Sequence, residues 1–368
     1  MIYFHSPKIQ KSFITKNYLC NMNFLLSILS IIFDYIIRLK NIVFDYEILK
    51  SNSYSIPIIC VGNLSLGGTG KTPHVILLIE ILKKDYHVAV LSRGYKRKSR
   101  GFKYVKSHDK ARDTGDEPLL IKQLYNNITV AVEKNRNKGV KKIITDFPET
   151  DVIILDDGFQ HRKIKAGLNI LLTSFWNPFF KDKLFPLGKL RENKNGKNRA
   201  DIVIITKCPN NINSNYKREL ITLLSLLKNQ KAYTSNINYQ KIFSLNSENE
   251  LNNLSLYSIT LVTGIAETNS IIKYLKNNIY THIKFGDHHN YDLNDIKKII
   301  SIYKQDSNSK KIILTTKKDA VKLNEFKNEF KSINIYVINI EVKIDNNEQF
   351  TKQILNYVKK NRREHSFS

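Results

Sequence analysis

Cysteine is almost missing from this chain. Three residues, Cys20, Cys60 and Cys208, form no CxxC pair. That excludes a disulfide scaffold and fits a reducing compartment. Glycine is also scarce, at 14 of 368 residues, so any glycine cluster stands out. No apolar run reaches the roughly 18–20 residues needed to cross a bilayer. The closest, Phe24 to Ile37, is interrupted by Asp34, and no small-residue cleavage site follows it as a signal peptide would require. Acidic residues are outnumbered, 33 Asp+Glu against 59 Lys+Arg, for a net charge of +26. Such a surface suits phosphorylated substrates, nucleic acid or an acidic membrane face. The charge is spread through a Lys-, Asn- and Ile-rich composition, which also fits compositional drift. No nucleic-acid-reading motif accompanies it, so no nucleic-acid partner is expected. No internal repeat is visible. What is present, 42% hydrophobic and 25% charged residues, is enough for a packed core, and the length favours two domains.

Near the N-terminus, Asn23, Ser27, Ser30, Asp34, Arg38, Asn41 and Asp45 recur at steps of three and four. They trace one narrow polar stripe on a helix whose other flanks carry Phe24, Leu25, Ile28, Ile31, Ile32 and Ile36. A helix this apolar is either buried or lies in a membrane interface. Residues 1–21 show no period and are expected to be an unstructured extension, with Met22 as the physiological start.

Short apolar runs then alternate with helical patterns. Strands are expected at Ile56–Val61, His87–Leu91, Asn127–Val132, Val152–Leu155, Leu168–Leu172 and Ile202–Ile205. Continuous apolar strands separated by helices indicate a parallel sheet covered on both faces. The expected fold class is α/β: a P-loop NTPase-like, mostly parallel sheet, a smaller C-terminal α/β domain and the N-terminal amphipathic helix. The expected divisions are 1–21 extension, 22–50 helix, 51–235 main α/β domain, 236–258 linker and 259–368 smaller domain. The smaller unit has strands at Ile259–Val262, Lys311–Leu314 and Ile333–Ile340, and the basic tail from Lys359 to Arg363 is expected to fray.

The chemistry starts at Gly62-Asn63-Leu64-Ser65-Leu66-Gly67-Gly68-Thr69-Gly70-Lys71-Thr72, between a strand and a helix. Gly67, Gly68 and Gly70, with Thr69 between them, let backbone N–H groups close around phosphate oxygens. Lys71 would reach the β- and γ-phosphates and Thr72 would hold Mg²⁺ through its hydroxyl. The strict GxxxxGK[ST] pattern fails at Ser65, but strand, loop and helix are all in place. A second element, Asp151-Val152-Ile153-Ile154-Leu155-Asp156-Asp157, delivers two carboxylates to a strand's C-terminal end, where open α/β sheets bind ligands. One of them should position Mg²⁺; spacing does not say which. Thr206-Lys207-Cys208-Pro209 resembles the guanine-reading TKxD of GTPases, with Pro209 where the aspartate belongs, so ATP is the expected nucleotide.

On the acceptor side, the Arg93-Gly94-Tyr95-Lys96 loop follows the second strand and would hold an anionic acceptor through Arg93, Tyr95 and Lys96. Asp113-Thr114-Gly115-Asp116-Glu117-Pro118 places carboxylates ahead of a helix, where one could accept a hydroxyl proton. His288 and His289, adjacent and without further spaced ligands, suit orientation of a carboxylate better than metal binding.

Together these segments resemble the tetraacyldisaccharide 4′-kinase family, the lipid A 4′-kinases. The likeness rests on VGN-x₃-GGTGKTP (Val61–Pro73), SRGY (Ser92–Tyr95), GDEP (Gly115–Pro118), DDGFQHR (Asp156–Arg162) and FPLGKLRE (Phe185–Glu192). It continues with Thr206-Lys207, TGIA (Thr263–Ala266), FGDHH (Phe285–His289) and TTKKDAVKL (Thr315–Leu323). Ser65 in place of glycine is itself this family's pattern. The resemblance implies transfer of the ATP γ-phosphate to the 4′-hydroxyl of a tetraacylated glucosamine disaccharide 1-phosphate, in a cleft between two domains. It implies Asp116 as catalytic base aided by His288, with Lys71 on the phosphates and Glu117, Asp156 and Asp157 as metal-associated carboxylates. It also implies a peripheral protein on the cytoplasmic face of the bacterial inner membrane, working on a lipid-linked disaccharide; a monomer is expected. The alternative is a P-loop GTPase-like regulator or metallochaperone with no sugar acceptor.

Overall fold

The computed structural model describes residues 8–362 apart from 246, 248, 252, 276 and 277, with side chains described from Asn23 onward. In chain order the elements begin with α1 (Lys8–Asp45), β1 (Ile58–Asn63), α2 (Lys71–Leu82), β2 (Val88–Ser92), β3 (Lys103–Tyr104) and α3 (Ala111–Thr114). Next come α4 (Asp116–Leu124), β4 (Thr129–Val132), α5 (Arg136–Asp146), β5 (Val152–Asp156), β6 (Leu168–Ser174) and β7 (Ile202–Thr206). The second half holds α6 (Ser214–Leu223), β8 (Lys231–Ser244), β9 (Ser258–Thr263), α7 (Asn269–Leu275), β10 (Ile279–Lys284) and α8 (Leu293–Gln305). It closes with β11 (Lys311–Thr316), α9 (Lys317–Leu323), β12 (Ile335–Ile344) and α10 (Asn347–Asn361).

Among the described residues all the strands join one sheet, in the order β10-β9-β11-β12-β8-β7-β6-β1-β5-β2-β4-β3. Only the β3–β4 and β8–β12 pairings are antiparallel. The mostly parallel α/β class expected from the apolar runs is what forms. The strands β1, β2, β5 and β7 are buried at every position because helices cover both faces. One face packs Val75, Leu78, Ile79 and Leu82 of α2 with Phe350, Ile354 and Val358 of α10. The other packs Val140 and Ile143 of α5 with Leu220 of α6.

Two boundaries differ from the sequence expectation. The stretch 236–258 does not begin as a linker: β8 runs on to Ser244. Its first residues pair with β7 through Ile205↔Thr234, and the rest pair with β12 from Ile344↔Ser235 to Tyr336↔Ser244. An Asn- and Ser-rich segment has weak strand propensity; nonlocal pairing on both flanks overrides it. The second unit is therefore a continuation of the first unit's sheet. At the N-terminus the backbone is helical from Lys8, ahead of the expected boundary at residue 22. Neither glycine nor proline occurs between Lys8 and Asp45, so neither breaker interrupts the helix. Residues 1–7 lie outside the described part. At the other end α10 holds to Asn361, and Arg362 Nε reaches Asp151 Oδ1 at 2.7 Å, so that part of the tail is tied down; Arg363 lies outside the described residues.

The polar stripe of α1 faces the protein. Ser30 Oγ donates to the Leu184 carbonyl at 3.0 Å, and Phe33 meets Phe185 edge-on at 5.9 Å. Arg162 donates to the Asn41 carbonyl at 2.8 Å and to Asp45 Oδ1 at 2.6 Å. The apolar flanks point away, leaving Phe24 at 68%, Ile31 at 69% and Ile36 at 60% exposed. No helix among the described residues is long and apolar enough to cross a membrane.

Candidate active site

The phosphate loop leaves the middle of the sheet. Its first half is pinned by backbone: Leu66 N donates to Lys189 O at 2.6 Å and Arg191 N to Leu64 O at 2.7 Å, with Ser65 bridged to Leu190. Strand-like pairing suits a serine here and explains why glycine is not needed at that position. The second half is pinned by side chains. Asn63 Nδ2 donates to Thr69 Oγ1 at 2.9 Å, and Thr206 Oγ1 donates to the Thr69 carbonyl at 2.8 Å. Gly70 ends the loop with φ +87°, a left-handed conformation that only glycine adopts cheaply, and α2 starts at the next residue. The helix N-terminus thus points its free N–H groups into the loop.

One turn along, His74 Nδ1 lies 2.7 Å from the Gly70 carbonyl and Nε2 lies 3.0 Å from Ser235 Oγ. The carbonyl can only accept, so Nδ1 carries the proton and Nε2 accepts from the serine. Burial pushes the imidazole down to about 4, so it stays neutral. Lys71 Nζ stands 3.5 Å from both Asn63 Oδ1 and Asp157 Oδ1, and the side chain of Thr72 is buried beside it. Gly67 and Gly68 complete the loop. Lys207, with φ +58°, sets its ammonium close to Gly68, 3.6 Å from Glu267 Oε2.

The end of β5 supplies the acidic pair. Asp156 is fully buried; its Oδ2 accepts from Ser92 Oγ at 3.2 Å and its Oδ1 has no partner. Burial and the nearby charges of Glu117 and Asp157 push its carboxyl up to about 7. Asp157 takes a left-handed turn (φ +51°) that sends it the other way. Arg191 Nη1 donates to both its oxygens at 3.2 Å. Burial would raise this carboxyl, but Lys71, Arg191 and Arg136 outweigh it and hold it below the usual range. Among the described residues no three His, Cys, Asp or Glu side chains converge tightly enough to hold a metal alone. Mg²⁺ needs no such cage, since it keeps several waters and takes one or two carboxylates plus substrate phosphates. The orphaned Asp156 oxygen within a carboxylate cluster is the donor chemistry that fits it.

The third part faces this cluster. Gly115, at φ +92°, precedes α4, and a Cβ there would lie 3.2 Å from Gly94 Cα, so the SRGY and GDEP loops meet backbone to backbone. Asp116 is therefore the first residue of α4, buried, with Oδ1 accepting from the Glu117 amide at 3.0 Å. His288 Nδ1 lies 3.0 Å from each Asp116 oxygen. The His288 loop, after β10, has φ +57° and is held by His288 N donating to Gly264 O at 3.1 Å. Two lysines on α9 approach as well: Lys322 Nζ at 3.6 Å and Lys318 Nζ at 3.9 Å from Asp116 Oδ2. Burial would raise the Asp116 carboxyl; the His288 hydrogen bond and the two ammonium groups overcome it and hold the group far below its ordinary value. Lys318 also reaches Glu117 Oε1 at 3.3 Å.

The fold thus brings Lys71, Thr72, Glu117, Asp116, Asp156, Asp157 and His288 into one cluster, supplied by the middle of the sheet, by α4 and by the loop after β10. Tyr95 meets His288 edge-on at 5.0 Å, and Lys96 Nζ donates to the Asp287 carbonyl at 3.2 Å. Arg93 is exposed on the same loop, its charge felt at Arg136 and His161. His289 is drawn elsewhere: it stacks on Phe285 and bonds Asp295 Oδ2 at 2.7 Å, at the start of α8. Sequence reasoning gave no role to Asn63, His74, Arg191, Lys318 or Lys322. The i, i+4 spacing of the two lysines on a short helix was the available signal.

A family model described as tetraacyldisaccharide-1-P 4′-kinase matches residues 22–359. The chain is similar to the tetraacyldisaccharide 4′-kinase of Bacteroides thetaiotaomicron, 42% identical over 358 residues, covering 92% of this chain and 93% of the relative. That of Flavobacterium psychrophilum is 40% identical over 344 residues, covering 92% and 98%. Among solved structures, the "apo" form of LpxK from Aquifex aeolicus in complex with ATP superposes with a TM-score of 0.72. It is 29% identical, covering 92% of this chain and 99% of that one.

Proposed function

The chain belongs to the tetraacyldisaccharide-1-P 4′-kinase family, and from that premise we propose how its own residues perform the reaction. It is an ATP-dependent kinase that phosphorylates the 4′-hydroxyl of tetraacyldisaccharide 1-phosphate in lipid A biosynthesis. The GTPase-like alternative has no support from these relatives, and Pro209 stands where a guanine-reading aspartate would be.

The observation that carries the site assignment is the meeting of Asp116 and His288, 172 residues apart in sequence, opposite the phosphate loop. Amides from Gly67 to Gly70 and the Lys71 ammonium grip the triphosphate. Asn63, Thr206 and His74 keep that loop preshaped, so little reorganisation remains when ATP arrives. Thr72, Asp156, Asp157 and Glu117 are the groups that would hold Mg²⁺, with Asp156 best placed because one of its oxygens is free. Magnesium bound there would neutralise charge on the transferring phosphoryl group. Asp116 accepts the proton of the attacking 4′-hydroxyl. Its low proton affinity at rest reflects the His288 hydrogen bond and then the two ammonium groups, whose pull a bound anionic substrate would partly cancel. Arg93, Tyr95 and Lys96 line the acceptor side, where cations suit a substrate that carries its own phosphate.

The exposed apolar face of α1 supports peripheral attachment to the cytoplasmic face of the inner membrane, since the substrate's acyl chains stay in the bilayer. The net charge of +26 adds attraction to anionic headgroups. The whole constellation comes from one chain, so a monomer suffices.

The direct test is mass spectrometry of tetraacyldisaccharide 1-phosphate incubated with the protein and MgATP. A gain of one phosphate is expected, abolished in Lys71→Ala and slowed by at least about 100-fold in Asp116→Ala. Unchanged substrate with wild-type protein would refute the assignment.

A further inference from the structure

Both ring nitrogens of His288 are engaged. Nδ1 faces the two oxygens of Asp116, and Nε2 lies 3.0 Å from Lys318 Nζ, nearer than Asp287 Oδ2 at 3.8 Å. An ammonium group has three donors and no acceptor, so a hydrogen bond between them requires a bare lone pair on Nε2. A neutral imidazole with Nε2 bare carries its proton on Nδ1, where it donates to the carboxylate. We propose that Lys318 is a positioning residue that fixes His288 as this Nδ1–H tautomer, so that the imidazole presents a fixed donor to Asp116.

The surroundings hold Lys318 to this task. Its ammonium sits among three carboxylates, two from the first turn of α4 and one from the loop after β10: Glu117 Oε1 at 3.3 Å, Asp116 Oδ2 at 3.9 Å and Asp287 Oδ1 at 3.8 Å. These attractions place it from several sides and leave a donor for the imidazole. The ring of His288 is held as well, by the edge-on contact with Tyr95 at 5.0 Å and by the backbone bond to Gly264. Lys322 contributes differently. Its Nζ lies 3.6 Å from Asp116 but makes no hydrogen bond, so it supplies charge without setting a proton position. With Nε2 covered by a cation and Nδ1 already protonated, His288 has no vacancy for the hydroxyl proton. A triad works in the same sense, where a buried charged group fixes which nitrogen of a histidine carries hydrogen.

The inference rests on the assignment of Asp116 as base, and its test separates the two. Full-length protein labelled with ¹⁵N-histidine is examined by long-range proton–nitrogen NMR at neutral pH, with the His288 signals identified by their loss in His288→Gln. Expected is a protonated Nδ1 and an unprotonated Nε2. A protonated Nε2, or two protonated nitrogens, overturns the proposal, and this measurement needs no folded Lys318 variant. Lys318→Met should move His288 out of that pattern, lower kcat at least about tenfold and leave KM for ATP within about twofold. Lys318→Arg, which keeps charged donors, should restore both the pattern and most of kcat. A Lys318→Met protein that keeps the wild-type His288 pattern, or keeps wild-type kcat, also overturns it. Should Asp116→Ala retain full turnover while the wild-type His288 pattern is as expected, the base assignment fails and the tautomer assignment stands.

Discussion

His74 shows what a single residue contributes beyond the catalytic list. Its neutral ring ties the last glycine of the phosphate loop to Ser235 on β8, and protonation would leave a charge buried without a counterion. The folded protein holds this group at about 4, whereas an unfolded chain titrates it near 6.5. The unfolded state therefore binds the proton first. Stability is complete above about 6.5 and declines as the pH falls towards 4, by about 3 kcal/mol from this group. His161, pushed down to about 4 by burial and then by Arg136 and other cations, adds to the same window. Urea unfolding midpoints between pH 7 and pH 4 should fall steeply for the wild type and less for His74→Gln, which keeps a donor and an acceptor; equal slopes would dismiss this account. Nothing in the sequence marked His74, because its importance lies in a partner 161 residues away. Lys71 and Thr72, by contrast, were legible from four neighbouring letters, since a phosphate loop is built from consecutive residues. Lys318 sits between these cases. It was visible within a motif, but only the folded chain brings it to an imidazole 30 residues back.

Among the elements, α1 and β8 pull in opposite directions as lessons in legibility. The period of α1 was plain, and so was its narrow polar stripe; which side would face the protein was not. The stripe docks through hydrogen bonds to Leu184 and Arg162, and the apolar side is left outward. At about 1.5–3 kcal/mol per fully buried large aliphatic side chain, two exposed isoleucines provide a measurable share of any attraction to lipid. Ile31→Ser with Ile36→Ser should reduce partition onto anionic phospholipid vesicles by at least about tenfold, as read by co-sedimentation. Unfolding free energy should stay within about 0.5 kcal/mol, as for other exposed positions. Undiminished co-sedimentation would mean the attachment lies elsewhere. β8 was invisible because its composition reads as loop and its pairing partners lie outside any local window. Strands β2, β4, β5 and β7 needed no such help: each is rich in β-branched and aliphatic residues whose preference and burial agree.

For the molecule as a whole, the sequence foretold two units and the structure joins them in one sheet. The nucleotide grip belongs to the first unit, while His288, Lys318 and Glu267 reach it from the second. ATP bound to the folded state alone should raise its stability by RT ln(1 + [L]/Kd), about 2.7 kcal/mol at a hundredfold excess over Kd. Thermal unfolding followed by calorimetry should show this as a rise of a few degrees in Tm for the wild type and almost none for Lys71→Ala. An equal rise in both would place the nucleotide outside this loop.

β8 also has a mechanical meaning. One strand is shared between two ladders, with β7 gripping its first residues and β12 the remainder, and no slack chain lies between them. The two halves of the site are thus joined by continuous paired strand, so any change in their relative placement has to pass through the twist and bend of β8 itself.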